Sequence, residues 1–202
     1  MSQPKRYTGN PARLYDFMDV FAVHCPKCDG RADITVPFFL DYKNSELKCS
    51  SCHFSEHADN LIRYRLSGKA KCLHCLEFLD LKGYDGFKNI PAYINVPCSK
   101  CQKMNKIAEN WEKYYQKYNE EGILDPAFGL TLWYRETVKG NILWAFNLRH
   151  LEEINNYVVA DLRERTTDKY KMTMVEKLPD FVKLAKNRDE VQKAIERMIR
   201  LK

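Results

Sequence analysis

The sequence has no long apolar run. No stretch approaches the ~18 consecutive apolar residues that a membrane-spanning helix needs, and the opening residues MSQPKRYTGN hold no apolar core of a signal peptide. The expected address is therefore the cytoplasm. The common catalytic signatures are also missing. There is no G-x-x-x-x-G-K-[ST] phosphate loop, no G-x-G-x-x-G turn, no H-E-x-x-H and no G-x-S-x-G. The five histidines are scattered, without a partnered nucleophile, so no enzyme is expected. Nor is there a solitary cysteine: all eight fall in four C-x-x-C pairs.

What is present is the composition of a folded protein. The 202 residues are 45% hydrophobic and 30% charged, enough for one large domain or two small ones. The pairs are Cys25/Cys28, Cys49/Cys52, Cys72/Cys75 and Cys98/Cys101. In a reducing compartment, disulfides are disfavoured and paired cysteines hold metal. Each C-x-x-C hairpin aims two sulfurs at one point, and two hairpins complete the tetrahedron zinc prefers. Four pairs make two closed four-cysteine sites, so two structural Zn2+ ions are expected. A redox role would need a thioredoxin-like βαβ setting, which none of the four pairs has. His24, His53 and His74 adjoin the cysteines, but the sulfurs already suffice.

The pairs are separated by 20, 19 and 22 residues, gaps too alike for loop entropy to choose among them. Joining the two middle pairs would leave the outer two to close a loop about three times longer, at a cost of roughly 1 kcal/mol. Strand-like runs support sequential pairing: ADITVPFF and SELK lie between the first two pairs, and LEFLDL and AYINV between the last two. An interleaved pairing stays open. This internal repeat resembles the zinc ribbon family, in tandem, over residues 20–105. Ribbons often carry glycine after the second cysteine of a knuckle, where the backbone needs a positive φ. Here Asp29, His53, Leu76 and Gln102 occupy those places.

The formal charge is +6. Eight thiolates and two zinc ions would bring it to about +2, which weakens any argument from basicity alone to nucleic acid. Locally, NLIRYRLSGKAK is rich in bases, and its Arg63, Tyr64, Arg65, Lys69 and Lys71 are candidates for nucleic-acid contact. The same lysines could simply compensate the anionic metal centres.

Beyond Ile107 cysteine disappears. AENWEKYYQKYNEE predicts an amphipathic helix whose Trp111, Tyr114 or Tyr115, and Tyr118 share a face, either as core or as a stripe for docking a partner. GLTLWYRE and NILWAF predict a β-hairpin turning at Gly140. Asn147 should cap a helix with the stripe Leu151, Ile154, Val158 and Leu162. Thr173 with Glu176, Pro179, and Asn187 with Glu190 mark further helix starts. DPAFGLTLW, LWAFNLRHLEEINNYVVADLRER and LPDFVKLAKNRDEV are similar to the C-terminal region of a group of uncharacterised bacterial zinc-ribbon proteins, over residues 124–200, which implies a recurring module and a bacterial source.

The sequence thus predicts an α+β protein. Its segments are an N-terminal stretch (1–19), a first ribbon (20–66), a second (67–105) and an α-rich module with one hairpin (106–202). The expected role is a protein-binding adaptor, with nucleic acid (DNA or RNA) as the alternative partner.

Overall fold

The computed structural model describes residues 6–7, 12–163 and 173–201. Strand β1 (Arg6–Tyr7) precedes β2 (Val20–His24), β3 (Arg31–Thr35), β4 (Glu46–Cys49) and β5 (Ser55–His57). The last four form an antiparallel sheet in the order β2-β3-β4-β5. Next come β6 (Ile62–Leu66), β7 (Ile94–Pro97), β8 (Met104–Ile107) and β9 (Trp111–Tyr115), with β6 paired to β9 and β7 to β8. The hairpin β10 (Tyr134–Val138) and β11 (Asn141–Ala145) leads into helix α1 (Leu148–Val158). After it come β12 (Leu162–Arg163), which runs parallel to β1, and helices α2 (Asp180–Lys183) and α3 (Arg188–Arg200). The fold is mixed: helices with several small, mostly antiparallel sheets.

The chain divides into two units, Met1–Ala58 with Tyr118–Lys202, and Asp59–Lys117. These cuts do not follow the boundaries expected at 66/67 and 105/106. The reason lies at β2. One edge of it pairs with β3. On its other edge, Trp133 N–H donates to Ala22 O (2.9 Å), His24 N–H donates to Thr131 O (2.9 Å) and Ala22 N–H donates to Phe146 O (2.7 Å). With both edges engaged, Phe21, Ala22 and Val23 are all buried, and Phe21 meets Phe146 edge-on at 5.0 Å. The first cysteine sheet and the C-terminal elements therefore share one core.

That core is completed by periodic helix faces. Leu151, Ile154 and Val158 of α1, and Val191, Ala194, Ile195 and Met198 of α3, are buried, and α3 packs on β10 and α1. Asn147 starts α1 and fastens it to the sheet. Its side chain accepts from His150 N (2.9 Å), and its Nδ2 donates to Phe17 O and Val20 O (2.8 Å each). Burial pushes His150 down to about 4, so the ring is neutral, and its Nδ1 accepts from Phe146 N–H (3.2 Å). The β10–β11 turn is the two-residue kind, with Lys139 at φ +49° and Gly140 at φ +80°.

Several expectations need correction. Residues 111–115 are not helical: β9 pairs antiparallel with β6, from Leu66↔Trp111 to Ile62↔Tyr115. The aromatic spacing that suggested a helix is compatible with a strand once a partner strand is available, and this pairing brings the ends of Asp59–Lys117 together. Leu162 does not extend the α1 stripe, because the helix stops at Val158 and Leu162 pairs with Arg6. LEFLDL forms only a bridge, Phe78 to Lys71. Asn187 precedes α3, but its side chain does not cap it: it donates to Phe181 O (2.9 Å) and accepts from Lys139 Nζ (3.2 Å). Thr173 and Glu176 do meet, Thr173 N–H donating to the carboxylate at 2.8 Å, over a single 3-10 turn at Val175–Lys177.

The turn after Tyr118 depends on Asp125, which is 1% exposed. Its carboxylate accepts from the backbone N–H of Ala127 (2.8 Å), Phe128 (2.7 Å) and Leu130 (2.6 Å). Removing the acceptor would strand three buried donors. Asp125→Ala should therefore destabilise the protein by about 2–4 kcal/mol in chemical denaturation; a change under about 0.5 kcal/mol would show that the donors find other partners.

Candidate metal centres

Three of the cysteine pairs sit at tight turns closed by the same two backbone bonds, and at the fourth Cys49 N–H donates to Phe54 O (2.9 Å). Asp29 N–H donates to Cys25 O (3.0 Å), and Cys25 N–H donates to Gly30 O (2.8 Å). Leu76 N–H to Cys72 O (3.0 Å) with Cys72 N–H to Glu77 O (2.8 Å), and Gln102 N–H to Cys98 O (2.9 Å) with Cys98 N–H to Lys103 O (3.0 Å), repeat the pattern. Closing such a turn demands a left-handed residue after the second cysteine. Asp29 (φ +59°), His53 (+58°), Leu76 (+60°) and Gln102 (+60°) all adopt it, although none is glycine. Gly30 is needed for space rather than for φ: a Cβ there would lie 2.9 Å from Ser51 Oγ and 3.3 Å from Cys28 Sγ.

The turns bring the sulfurs together sequentially, not interleaved. Cys25, Cys28, Cys49 and Cys52 form one cluster, and Cys72, Cys75, Cys98 and Cys101 the other, with all sulfurs of a cluster within 4.8 Å of one another. The nearest approaches are Cys25–Cys52 at 3.7 Å, and Cys28–Cys49, Cys72–Cys101 and Cys75–Cys98 at 3.6 Å. A disulfide needs about 2.05 Å. A tetrahedron with metal–sulfur arms of ~2.3 Å has edges of about 3.8 Å. The donor set fits a tetrahedral thiophilic ion, and neither cluster includes a histidine. His24 pairs instead with the Asp29 carboxylate at 2.9 Å and lies against Trp133.

Without an ion the thiols divide. The backbone N–H of Cys52 pushes Cys49 down to about 6. Burial acts to raise Cys72, but the N–H groups of His74 and Cys75 prevail and bring it to about 6. Cys28 and Cys75 are donated to by Gly30 and Glu77, yet neighbouring sulfurs and desolvation push both up to about 12. Each cluster is thus prepared to release some protons and to keep others until a cation supplies the opposing charge.

The two centres sit in different surroundings. The second is most of the interior of its unit: Leu66, Leu79, Leu81 and Val96 join buried Cys72 and Cys98, with Trp111, Ile94 and Ile107 partly covering them. Asn105, 2% exposed, ties the two turns together, its Oδ1 accepting from Leu73 N–H (2.9 Å) and its Nδ2 donating to Lys103 O (3.0 Å). Sequence reasoning missed this residue; its only signal is an amide at an inward position of a strand, paired opposite Val96. The first centre adjoins the larger core described above.

The other candidate residues are placed as follows. Arg65 is engaged by Glu112 (2.9 Å) and lies over the Tyr114 ring (5.0 Å), while Arg63 donates to Asn60 O and Ile62 O. Tyr64 is half-buried and its backbone bonds to Phe87. Lys69 and Lys71 are exposed and lie over the Phe78 ring. Trp111 is partly buried against the second cluster and meets Phe87, and Tyr114 accepts from Gly86 N–H at 3.0 Å. Trp111 and Tyr114 lie on strand β9, so with Tyr118 they do not form one helical face.

No known protein family, curated protein or solved structure matches this chain. Among the described residues no helix is long and apolar enough to cross a membrane.

Leu76 is 72% exposed, so its side chain adds little burial while its left-handed backbone carries strain. Leu76→Gly should stabilise the metallated protein by about 1 kcal/mol in thermal unfolding. A loss of stability would mean that the Leu76 side chain makes a contact worth more than the strain.

Proposed function

We propose that the chain is a non-enzymatic zinc-binding protein with two tandem zinc ribbons, whose structural Zn2+ ions stiffen an interaction module that serves as a protein-binding adaptor. The all-sulfur clusters carry this reading. Four thiolates fill zinc's tetrahedral shell and leave no position for water or substrate. Soft sulfur donors select zinc over the oxygen-seeking cations. The protein-binding role is supported by an apolar stretch between β3 and β4, where consecutive Phe38, Phe39 and Leu40 are 73%, 67% and 50% exposed.

A second reading, nucleic-acid binding, is favoured by where the charge sits. Residues 59–117 hold 11 Lys and Arg against 6 Asp and Glu, a net +5 of the chain's +6. Four thiolates and one zinc ion lower this to about +3, whereas the remainder of the metallated chain is near −1. The basicity that averages out over the whole protein is concentrated in one unit.

Native mass spectrometry should find two zinc ions and eight reduced sulfurs per chain, and Cys25→Ser should hold one. A chain free of metal, or with bridged sulfurs, contradicts the zinc assignment. Replacing Phe38 and Phe39 by Ser should abolish retention of a protein partner while both zincs stay bound; undiminished retention contradicts the adaptor role.

A further inference from the structure

We infer that the unit Asp59–Lys117 binds single-stranded nucleic acid, with a base stacked on Phe78 and the flanking phosphates met by Lys69 and Lys71. This rests on the nucleic-acid reading above and changes the residues that carry it. The arginines of the basic segment are occupied: Arg65 by Glu112 and Tyr114, Arg63 by backbone carbonyls. Lys69 and Lys71 have no ion pair among the described residues. Their ammonium groups lie 5.8 and 5.3 Å from the centre of the Phe78 ring, which is 51% exposed.

This ring is held in place by the metal centre. Phe78 and Lys71 face each other across an antiparallel bridge. Cys72 N–H donates to Glu77 O (2.8 Å) on one side of it, and Leu79 N–H donates to Ala70 O (2.9 Å) on the other. Cys72 is itself a sulfur ligand of the second cluster. The acid beside the ring, Glu77, is neutralised by Lys100 at 3.3 Å, so it does not repel a phosphate. A second such pair lies on the β7–β8 side, where Lys106 sits 4.8 Å from the Tyr93 ring and Tyr93 is 47% exposed.

The ammonium groups lie over the ring on flexible side chains, so an unstacked base would take their place on the aromatic face and leave them to meet the phosphates on either side of it. A base inside a duplex offers no free face to the ring, so the pairing favours single strands. The chemistry is indifferent to base identity, since every base has a π-face.

The test uses the full-length zinc-loaded protein and a fluorescein-labelled 20-nucleotide oligothymidylate, read by anisotropy at about 50 mM salt, with a duplex of equal length and inorganic polyphosphate as comparators. The oligothymidylate should bind more tightly than either. Phe78→Ala should weaken it about tenfold, the effect of one lost stack, while Phe78→Trp retains it. Replacing Lys69 and Lys71 together by Ala should flatten the slope of log affinity against log salt by about 1.4, two phosphates' worth on a single strand. Zinc content measured on each variant separates a failed face from a failed metal centre. With two zincs bound, any one of four results overturns the inference and leaves the zinc assignment standing: no binding, equal or tighter binding of duplex or polyphosphate, indifference to Phe78→Ala, or an unchanged salt slope.

Discussion

The mutual repulsion of four converging sulfurs is the constraint on which this structure depends, and a cation at the centre of each cluster would relieve it. Two thiolates 3.6 Å apart, the spacing of Cys28 and Cys49, repel by about 4–5 kcal/mol at an effective dielectric near 20. Each cluster contains several such pairs, so backbone N–H groups alone cannot hold all four sulfurs ionised. A divalent ion at the centre reverses the sign of the interaction. The left-handed backbone at Asp29, His53, Leu76 and Gln102 is kept in place by the same closure.

The two units depend on this interaction to different degrees. Around the first cluster, β2 is paired on both edges, and the sheet shares an apolar interior with α1 and α3. Around the second, four buried aliphatic side chains accompany the buried sulfurs. So small a core does not offset the entropy of ordering the chain. A metal held by the second cluster would thus be the principal stabiliser of residues 59–117, and one held by the first an adjunct to a larger core. The unit with the least core also carries nearly all the net positive charge, and its cysteine cluster adjoins the ring and lysines inferred to meet nucleic acid.

How much of this could be read from the sequence followed the range of the interactions. The cysteine clusters were legible because four C-x-x-C pairs are local and chemically specific, and the sequential grouping agreed with loop entropy and strand-like runs. The β10–β11 hairpin and the Asn147 cap were legible for the same reason: a turn or a cap is decided within a few residues. Residues 107–118 were misread because Trp111, Tyr114 and Tyr115 suit a helical face as well as a strand, and β6, the strand that decides it, lies about fifty residues earlier. The joining of the first sheet to the C-terminal elements rests on Ala22 meeting Trp133 and Phe146, which no local pattern announces. Asn187 looked like a helix cap but is taken by Phe181 and Lys139, both tertiary partners. Asn105 and Asp125 were missed because a buried polar residue reveals its purpose only through the backbone groups it satisfies.

The most direct test of the central claim is X-ray absorption at the zinc edge on the purified protein. The account predicts four sulfur scatterers per zinc at about 2.3 Å and no nitrogen or oxygen neighbour. A fitted nitrogen or oxygen ligand, or fewer than four sulfurs per ion, would contradict it, because the clusters would then not be closed.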